Sequence, residues 1–229
     1  MDSPVSRVTR SKESARLSYN RMSGWYDLLT GHTEGKYRER GLDKLSAQAG
    51  EKILEIGFGT GHGLVSLAKA VGREGRIYGV DISDGMLAIA RKRLQKNGLE
   101  DRVELHLGDA ARLDFLKSNS LGRIFMSFTL ELFDTPDIAC VLDECHRVLE
   151  PDGPLVIVSM ARIDPPGLAV RVYEWFHEHL PDYADCRPIL ARRSAQRSGF
   201  EVENSDVLSM WGLPVEIILA RKHPLDGSG

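Results

Sequence analysis

The stretch EIGFGTGHG, Glu55–Gly63, sets four glycines in nine residues directly behind the apolar run of Lys52–Ile56. A glycine-rich turn between a strand and a helix cradles phosphate when its backbone N–H groups face the anion. This turn is led in by a carboxylate, Glu55, which repels a pyrophosphate and attracts a cation. The dinucleotide-binding fingerprint wants its third glycine three residues after the second, and His62 stands there instead. Taken alone the loop is also compatible with a plain tight turn, so its neighbours decide the reading.

Working outward, strand-like and helix-like segments alternate. Lys52–Ile56 reads as a buried strand, and Leu64–Val71 as the helix that follows the loop. Arg76–Val80 is the next strand, ending at Asp81. A helix over Asp84–Asn97 has apolar residues near 3.6 spacing, with Gly98 at its cap position. Val103–Leu107, Arg123–Phe128 and Pro154–Met160 are further strands, with a helix over Ile138–Leu149 before the last. The terminal segment GFEVENSDVLSMWGLPVEIILARK reads as two strands joined by a turn at Gly212–Pro214. Repeated strand–helix–strand steps build a parallel sheet covered on both faces. The expectation is an α/β, Rossmann-like fold: a seven-stranded, mostly parallel sheet with a C-terminal antiparallel hairpin.

A chain of 229 residues suits a single domain of this kind. Residues 1–49 show no strand pattern and are expected to form a helical cap over the active site, with 50–229 as the core. An acceptor-side insert over 161–199 carries helices at Leu168–His179 and Ile189–Ser198. With 42% hydrophobic and 28% charged residues and a formal net charge of −3, the composition favours neither nucleic acid nor membrane. No apolar run approaches a membrane span, and MDSPVSRVTR lacks a signal core. Three cysteines without metal spacing suit a reducing, cytoplasmic setting, and no metal site is expected.

Ligands of open parallel sheets bind at the carboxyl ends of the strands. Three acids fall there: Glu55 in the first strand, Asp81 at the end of the second, Asp109 after the third. Asp81 stands where both oxygens can accept ribose hydroxyls, which fits NAD and S-adenosylmethionine equally. Asp109, with Ala110 beside it, suits the edge of an adenine, and Ile82 and Met86 suit its faces. Glu55 separates the two cofactors, because it favours an ammonium and a sulfonium over a pyrophosphate.

EIGFGTGHG, GVDIS, LGDA and HRVLEPDGPLVIVS together resemble, in order and spacing, the class I S-adenosylmethionine-dependent methyltransferases. YNRMSGWYDLL, Tyr19–Leu29, is similar to the opening of the branch that contains the ubiquinone/menaquinone-biosynthesis methyltransferases and some bacterial phospholipid N-methyltransferases. Asn20 departs from the aspartate usual in that opening, and Pro154 departs after PDG. The resemblance covers about residues 15–160. It implies that Gly57, Gly59 and Gly61 admit the methionine part of the cofactor, with Glu55 at its amino group. It places Asp81 at ribose, Ile82, Met86, Asp109 and Ala110 at adenine, and Ser127 and Phe128 on the sulfonium side. It also implies that Tyr19 and Tyr26 cap the site as candidate catalytic groups, Tyr26 touching cofactor as well; Tyr26, next to Trp25, equally reads as a core aromatic.

Methyl transfer from a sulfonium is an in-line displacement that asks the protein for alignment and dryness more than for a base. No general base stands out; His62 and His146 qualify only by residue type. Glu131, Asp134 and Tyr173 are the expected acceptor contacts. The acceptor is expected to be small and lipophilic, a quinone-like ring or a phospholipid head group. Arg187, Arg192, Arg193 and Arg197 form a basic run whose plain reading is a solvated face; its sharper reading is peripheral contact with an anionic membrane, at the inner face. Two other functions stay open at this point: a non-catalytic cofactor-binding module and an NAD(P)-dependent oxidoreductase.

Overall fold

The computed structural model describes residues 31–162 and 187–223, with side chains from Thr33 onward. In chain order these residues form α1 (Gly31–Leu45), β1 (Lys52–Ile56), α2 (His62–Val71), β2 (Arg76–Asp81), α3 (Asp84–Asn97) and β3 (Val103–Leu107). Then follow β4 (Arg123–Ser127), a single 3₁₀ turn (Leu130–Leu132), α4 (Thr135–Val148), β5 (Pro154–Met160), α5 (Ala191–Arg197), β6 (Phe200–Met210) and β7 (Leu213–Lys222). The seven strands make one sheet in the order β3-β2-β1-β4-β5-β7-β6, parallel throughout except for the β5–β7 and β7–β6 pairings.

The centre of the sheet is apolar on both sides because helices cover both sides. Tyr37, Ile53, Leu64, Ile77, Phe125, Val156 and Val158 pack on the face of α1 and α2. Leu54, Ile56, Ile124, Met126, Leu155, Ile157 and Ala191 pack on the face of α4 and α5. Every residue of β5 is buried, and each such aliphatic side chain adds roughly 1.5–3 kcal/mol of burial. Helix α1 runs down the sheet: Tyr37 donates its hydroxyl to Ser209 O at 2.6 Å, and Leu45 O accepts from Arg123 Nη1 at 2.8 Å.

Several boundaries differ from the sequence-based expectation, each for a local reason. Helix α2 begins at His62, directly after Gly61 leaves the loop with φ +84°. Helix α4 begins at Thr135, where Asp134 Oδ1 accepts the Thr135 N–H at 2.8 Å as the N-cap. Strand β4 stops at Ser127 because Phe128 turns to φ +50°. Helix α5 is confined to Ala191–Arg197 because Ile189 bridges Ala161 beside the end of β5. The hairpin turn is Trp211–Gly212 rather than Gly212–Pro214, since Met210 pairs with Leu213 and Pro214 already lies in β7. The expected helix at Leu168–His179, and residues 1–30 of the cap, lie outside the described residues.

Candidate active site

Strand β1 is flanked by β2 on one side and β4 on the other, so the strand order reverses there. The carboxyl ends of β1 and β4 therefore diverge and leave a crevice. A solvent-open cleft of about 390 Å³ occupies it, lined by Glu34, Arg38, Glu55, Gly57, Phe58, Thr60, His62, Gly63 and Ser127.

The loop after β1 is shaped by close approaches. A Cβ at Gly57, where φ is +68°, would stand 2.2 Å from Thr129 Oγ1, so the loop and the end of β4 interlock there. A Cβ at Gly63 would stand 2.1 Å from Glu55 Oε1. The bare backbone at the start of α2 is thus what gives the Glu55 carboxylate its seat. Nothing lies within 4 Å of the Cβ direction of Gly59, which faces open space. Gly61 packs on Ala90 of α3.

Glu55 itself is buried, and its Oε2 has no hydrogen-bond partner among the described residues. An orphaned buried carboxylate oxygen is costly unless a ligand satisfies it. Burial pushes this carboxyl up to about 8; the Arg38 guanidinium opposes the shift, and Asp81 and Glu39 add to it. The cleft therefore offers a carboxyl and a guanidinium together, a match for the ammonium and carboxylate of an α-amino acid.

Asp81 ends β2 with both oxygens already engaged. Its Oδ2 accepts the Gly59 N–H at 2.8 Å and its Oδ1 the Ser83 N–H at 2.9 Å. Burial raises its pKa, and these backbone donors oppose the rise. The acid thus fixes the glycine loop and retains lone pairs for a further donor on each oxygen. From the opposite side, Arg93 Nη1 of α3 donates to Thr60 O at 2.7 Å and to Thr60 Oγ1 at 3.0 Å.

The other expected residues divide between this edge and the interior. Ile82 is half-buried beside Asp81, while Met86 is a buried side chain whose N–H donates to Ser83 Oγ. Asp109 follows β3, accepting the Ala111 N–H at 3.0 Å, and Ala110 packs into the core. Ser127 lines the cleft. Phe128 is buried, with φ +50°, and meets Tyr37 edge-on at 6.3 Å between ring centroids. A bulky side chain in the left-handed region is an uncommon arrangement that concentrates at functional sites. Glu131 is fully buried: its Oε1 accepts the Met160 N–H at 3.1 Å, and Oε2 has no hydrogen-bond partner among the described residues. Burial pushes its carboxyl up to about 8; backbone N–H groups, that of Met160 among them, and the Arg187 charge oppose the rise, and the Glu34 charge adds to it. Asp134 serves as the α4 cap. Tyr19, Tyr26 and Tyr173 lie outside the described residues.

Glu34, Arg38, Phe58 and Thr60 also line the cleft without having been expected there, and His62, which qualified only by residue type, both starts α2 and lines the cleft. Glu34 and Arg38 are four apart on α1, one helical face, but nothing in the sequence tells which edge of the sheet that face meets. Arg187 departs from the expected exposed run. It is fully buried, donating to Phe133 O at 2.7 Å and to Thr135 Oγ1 at 3.3 Å.

Residues 53–153 match the family model of a methyltransferase domain. The demethylmenaquinone methyltransferase of Geobacillus stearothermophilus is 31% identical over 175 residues, covering 76% of this chain and 72% of that protein. That of Oceanobacillus iheyensis is 29% identical over 181 residues, covering 79% and 74%. Among solved structures, a SAM-dependent methyltransferase from Aquifex aeolicus superposes with a TM-score of 0.61 at 22% identity, over 90% of this chain and 98% of that one. The [4+2]-cyclase SpnF superposes with a TM-score of 0.76 at 16% identity, over 97% and 99%. At such identities these two likenesses establish the fold alone. Fold, loop and sequence relatives converge on one class: the chain belongs to the class I S-adenosylmethionine-dependent methyltransferases and resembles their menaquinone-biosynthesis branch. It is a methyltransferase, and its cofactor is S-adenosylmethionine.

Proposed function

We propose that this methyltransferase acts on a lipophilic, quinone-like ring presented at the carboxyl edge of the sheet. The observation that carries this reading is the 31% identity, over three quarters of the chain, to an enzyme named for demethylmenaquinone. When bound, the cofactor supplies the activated methyl on its sulfonium.

The chain's own residues are assigned as follows. Glu55 takes the ammonium of the methionine end and Arg38 its carboxylate, so the two charges of the cleft match the two charges of the ligand. Asp81 accepts the ribose hydroxyls while holding Gly59 and Ser83. Ile82, Met86, Asp109 and Ala110 form the adenine side, and Ser127 and Phe128 the side nearest the acceptor. Glu131 stands on the acceptor side as a group able to hold a proton near neutral pH. A ring carbon of a quinol becomes nucleophilic as its hydroxyl loses a proton, so a proton-holding group at that edge has a use.

The test supplies labelled cofactor with a short-chain demethylated quinol and, separately, with phosphatidylethanolamine vesicles. Label in the quinol supports the reading. Label only in the phospholipid replaces it with the head-group acceptor, and cofactor binding without transfer to any acceptor favours a non-catalytic module.

A further inference from the structure

The tip of the β6–β7 hairpin stands apart from the rest of the surface. Trp211 is 82% exposed, the highest among the large exposed apolar side chains described. It occupies the first central position of a two-residue turn, with φ +52°, followed by Gly212 at φ +85°. Positive φ at both positions is the signature of a type I′ turn, which favours Asn, Asp or Gly at its first position. A bulky aromatic there is strained, and at this exposure most of its side chain lies in solvent. Its neighbours behave differently: Leu208, Met210 and Leu213 pack on the core, and Tyr37 holds Ser209 O. The tip is anchored, and Trp211 is held outward from it.

Three further features say what Trp211 meets. The stretch Val207–Val215 contains no charged residue, and the flanking acids are engaged, Asp206 with Lys44 and Glu216 with Ser205 Oγ. Val215 pairs with Met160, the last residue of β5, so the tip projects from the same edge of the sheet as the cofactor cleft. Exposed Arg192 and Arg193 begin α5 just beyond Ile189, which bridges that edge. An uncharged protrusion ending in an indole, on a sheet edge at which exposed cations also begin α5, fits the boundary between lipid head groups and acyl chains, where tryptophan is favoured.

We propose that Trp211 and the hairpin tip insert into the head-group region of a phospholipid bilayer and set the open cleft over a membrane-borne acceptor. The lipophilic acceptor of the proposed function is the premise for the second half of that statement, and vesicle binding alone tests the first. Insertion of the tip is driven by the indole, so phosphatidylcholine vesicles suffice and phosphatidylglycerol strengthens binding through Arg192 and Arg193.

The experiment sediments the full chain and Trp211→Asn with phosphatidylcholine vesicles, with and without phosphatidylglycerol. The wild type co-sediments with both, and the variant loses about tenfold in partition, the scale of withdrawing one large apolar side chain from the interface. Brominated acyl chains quench a part of the wild-type indole fluorescence that is missing from the variant. Trp211→Asn also raises the melting temperature, because asparagine suits the turn, whereas a structural tryptophan would lower it. Equal sedimentation of both proteins, or no binding by the wild type, overturns the proposal. A change of oligomeric state in the variant without vesicle binding overturns it too and assigns the tip to a second copy of the chain. If vesicles bind through Trp211 but the quinol is not methylated, the acceptor reading fails and the membrane contact stands.

Discussion

The two sides of the carboxyl edge are built on different principles. On the β1–β2 side, backbone and side chains lock one another: Gly57 against Thr129, Gly63 against Glu55, Gly59 and Ser83 on Asp81, and Thr60 under Arg93. On the β5–β7 side one buried acid, Glu131, braces the end of β5, and an uncharged hairpin tip reaches outward. A cofactor of fixed shape rewards a preorganised pocket, whereas an acceptor side can vary without disturbing it. The side whose contacts interlock also lies within the residues that match the family model, and the β6–β7 hairpin lies beyond them.

The largest effect is expected from filling the seat of Glu55. Gly63→Ala sets a methyl group 2.1 Å from Glu55 Oε1, and only displacement of the carboxylate relieves it. Affinity for S-adenosylhomocysteine should fall about 100-fold and stability by about 1–3 kcal/mol. Calorimetry and a thermal melt check both, and an affinity within about threefold of wild type would detach Glu55 from the ligand.

Next comes a dissection of the rigid half by ligand. Glu55→Gln and Arg38→Met should each weaken S-adenosylhomocysteine by about 10–100-fold, the scale of a hydrogen bond to a charged group. Neither should alter binding of methylthioadenosine, which lacks the amino-acid end. Asp81→Ala should weaken both ligands and also lower stability, since it leaves the Gly59 and Ser83 N–H groups without their acceptor. If Arg38→Met weakens methylthioadenosine equally, the charge pairing in the cleft is misassigned.

Glu55 and Glu131 share one pH signature and part on another. Each carboxyl is pushed up to about 8 in the folded protein by burial. The folded state therefore keeps protons that the unfolded chain has released, and stability falls as pH rises from the ordinary carboxylate range toward about 8. Thermal melts from acid to mildly alkaline pH should show that fall, and Glu55→Gln or Glu131→Gln should each flatten it. Ligand binding should separate the two. An ammonium beside Glu55 favours the ionised carboxyl, so binding expels a proton and S-adenosylhomocysteine affinity rises toward pH 8. Glu55→Gln should abolish that rise and Glu131→Gln should leave it.

The same contrast governs what the sequence could tell. Strands ending in acids, a glycine loop and a capped helix are local requirements on residue type, so β3, β5 and α3 are legible to the residue. The places of Asp81 and Glu55 at strand ends are legible because they follow from the strands themselves. Arg38 is not, because its meaning depends on where α1 crosses the sheet, a tertiary fact. Arg187 misleads for the same reason: among arginines in sequence it looks solvated, yet it is buried against Phe133 O. The position of Trp211 in the turn follows from the register of β6 on β7, which a neighbouring glycine and proline obscure.

The smallest expected effect sharpens the account of the rigid half. Arg93 reaches from α3 to the Thr60 carbonyl and hydroxyl, one residue from the Gly59 N–H held by Asp81. The loop is thus gripped at adjacent residues by a base on one side and an acid on the other. Arg93→Met keeps most of the apolar stem and removes the donors, while Asp81 continues to hold Gly59. If the two grips are redundant for shape, affinity for S-adenosylhomocysteine falls only about threefold to tenfold, the net worth of one hydrogen bond. Combined with Asp81→Ala, the loss should exceed the sum of the singles, because neighbouring groups that share one backbone segment couple. Strict additivity in that double-mutant cycle would mean the loop is rigid by its glycine contacts alone, and that the two side chains merely decorate it.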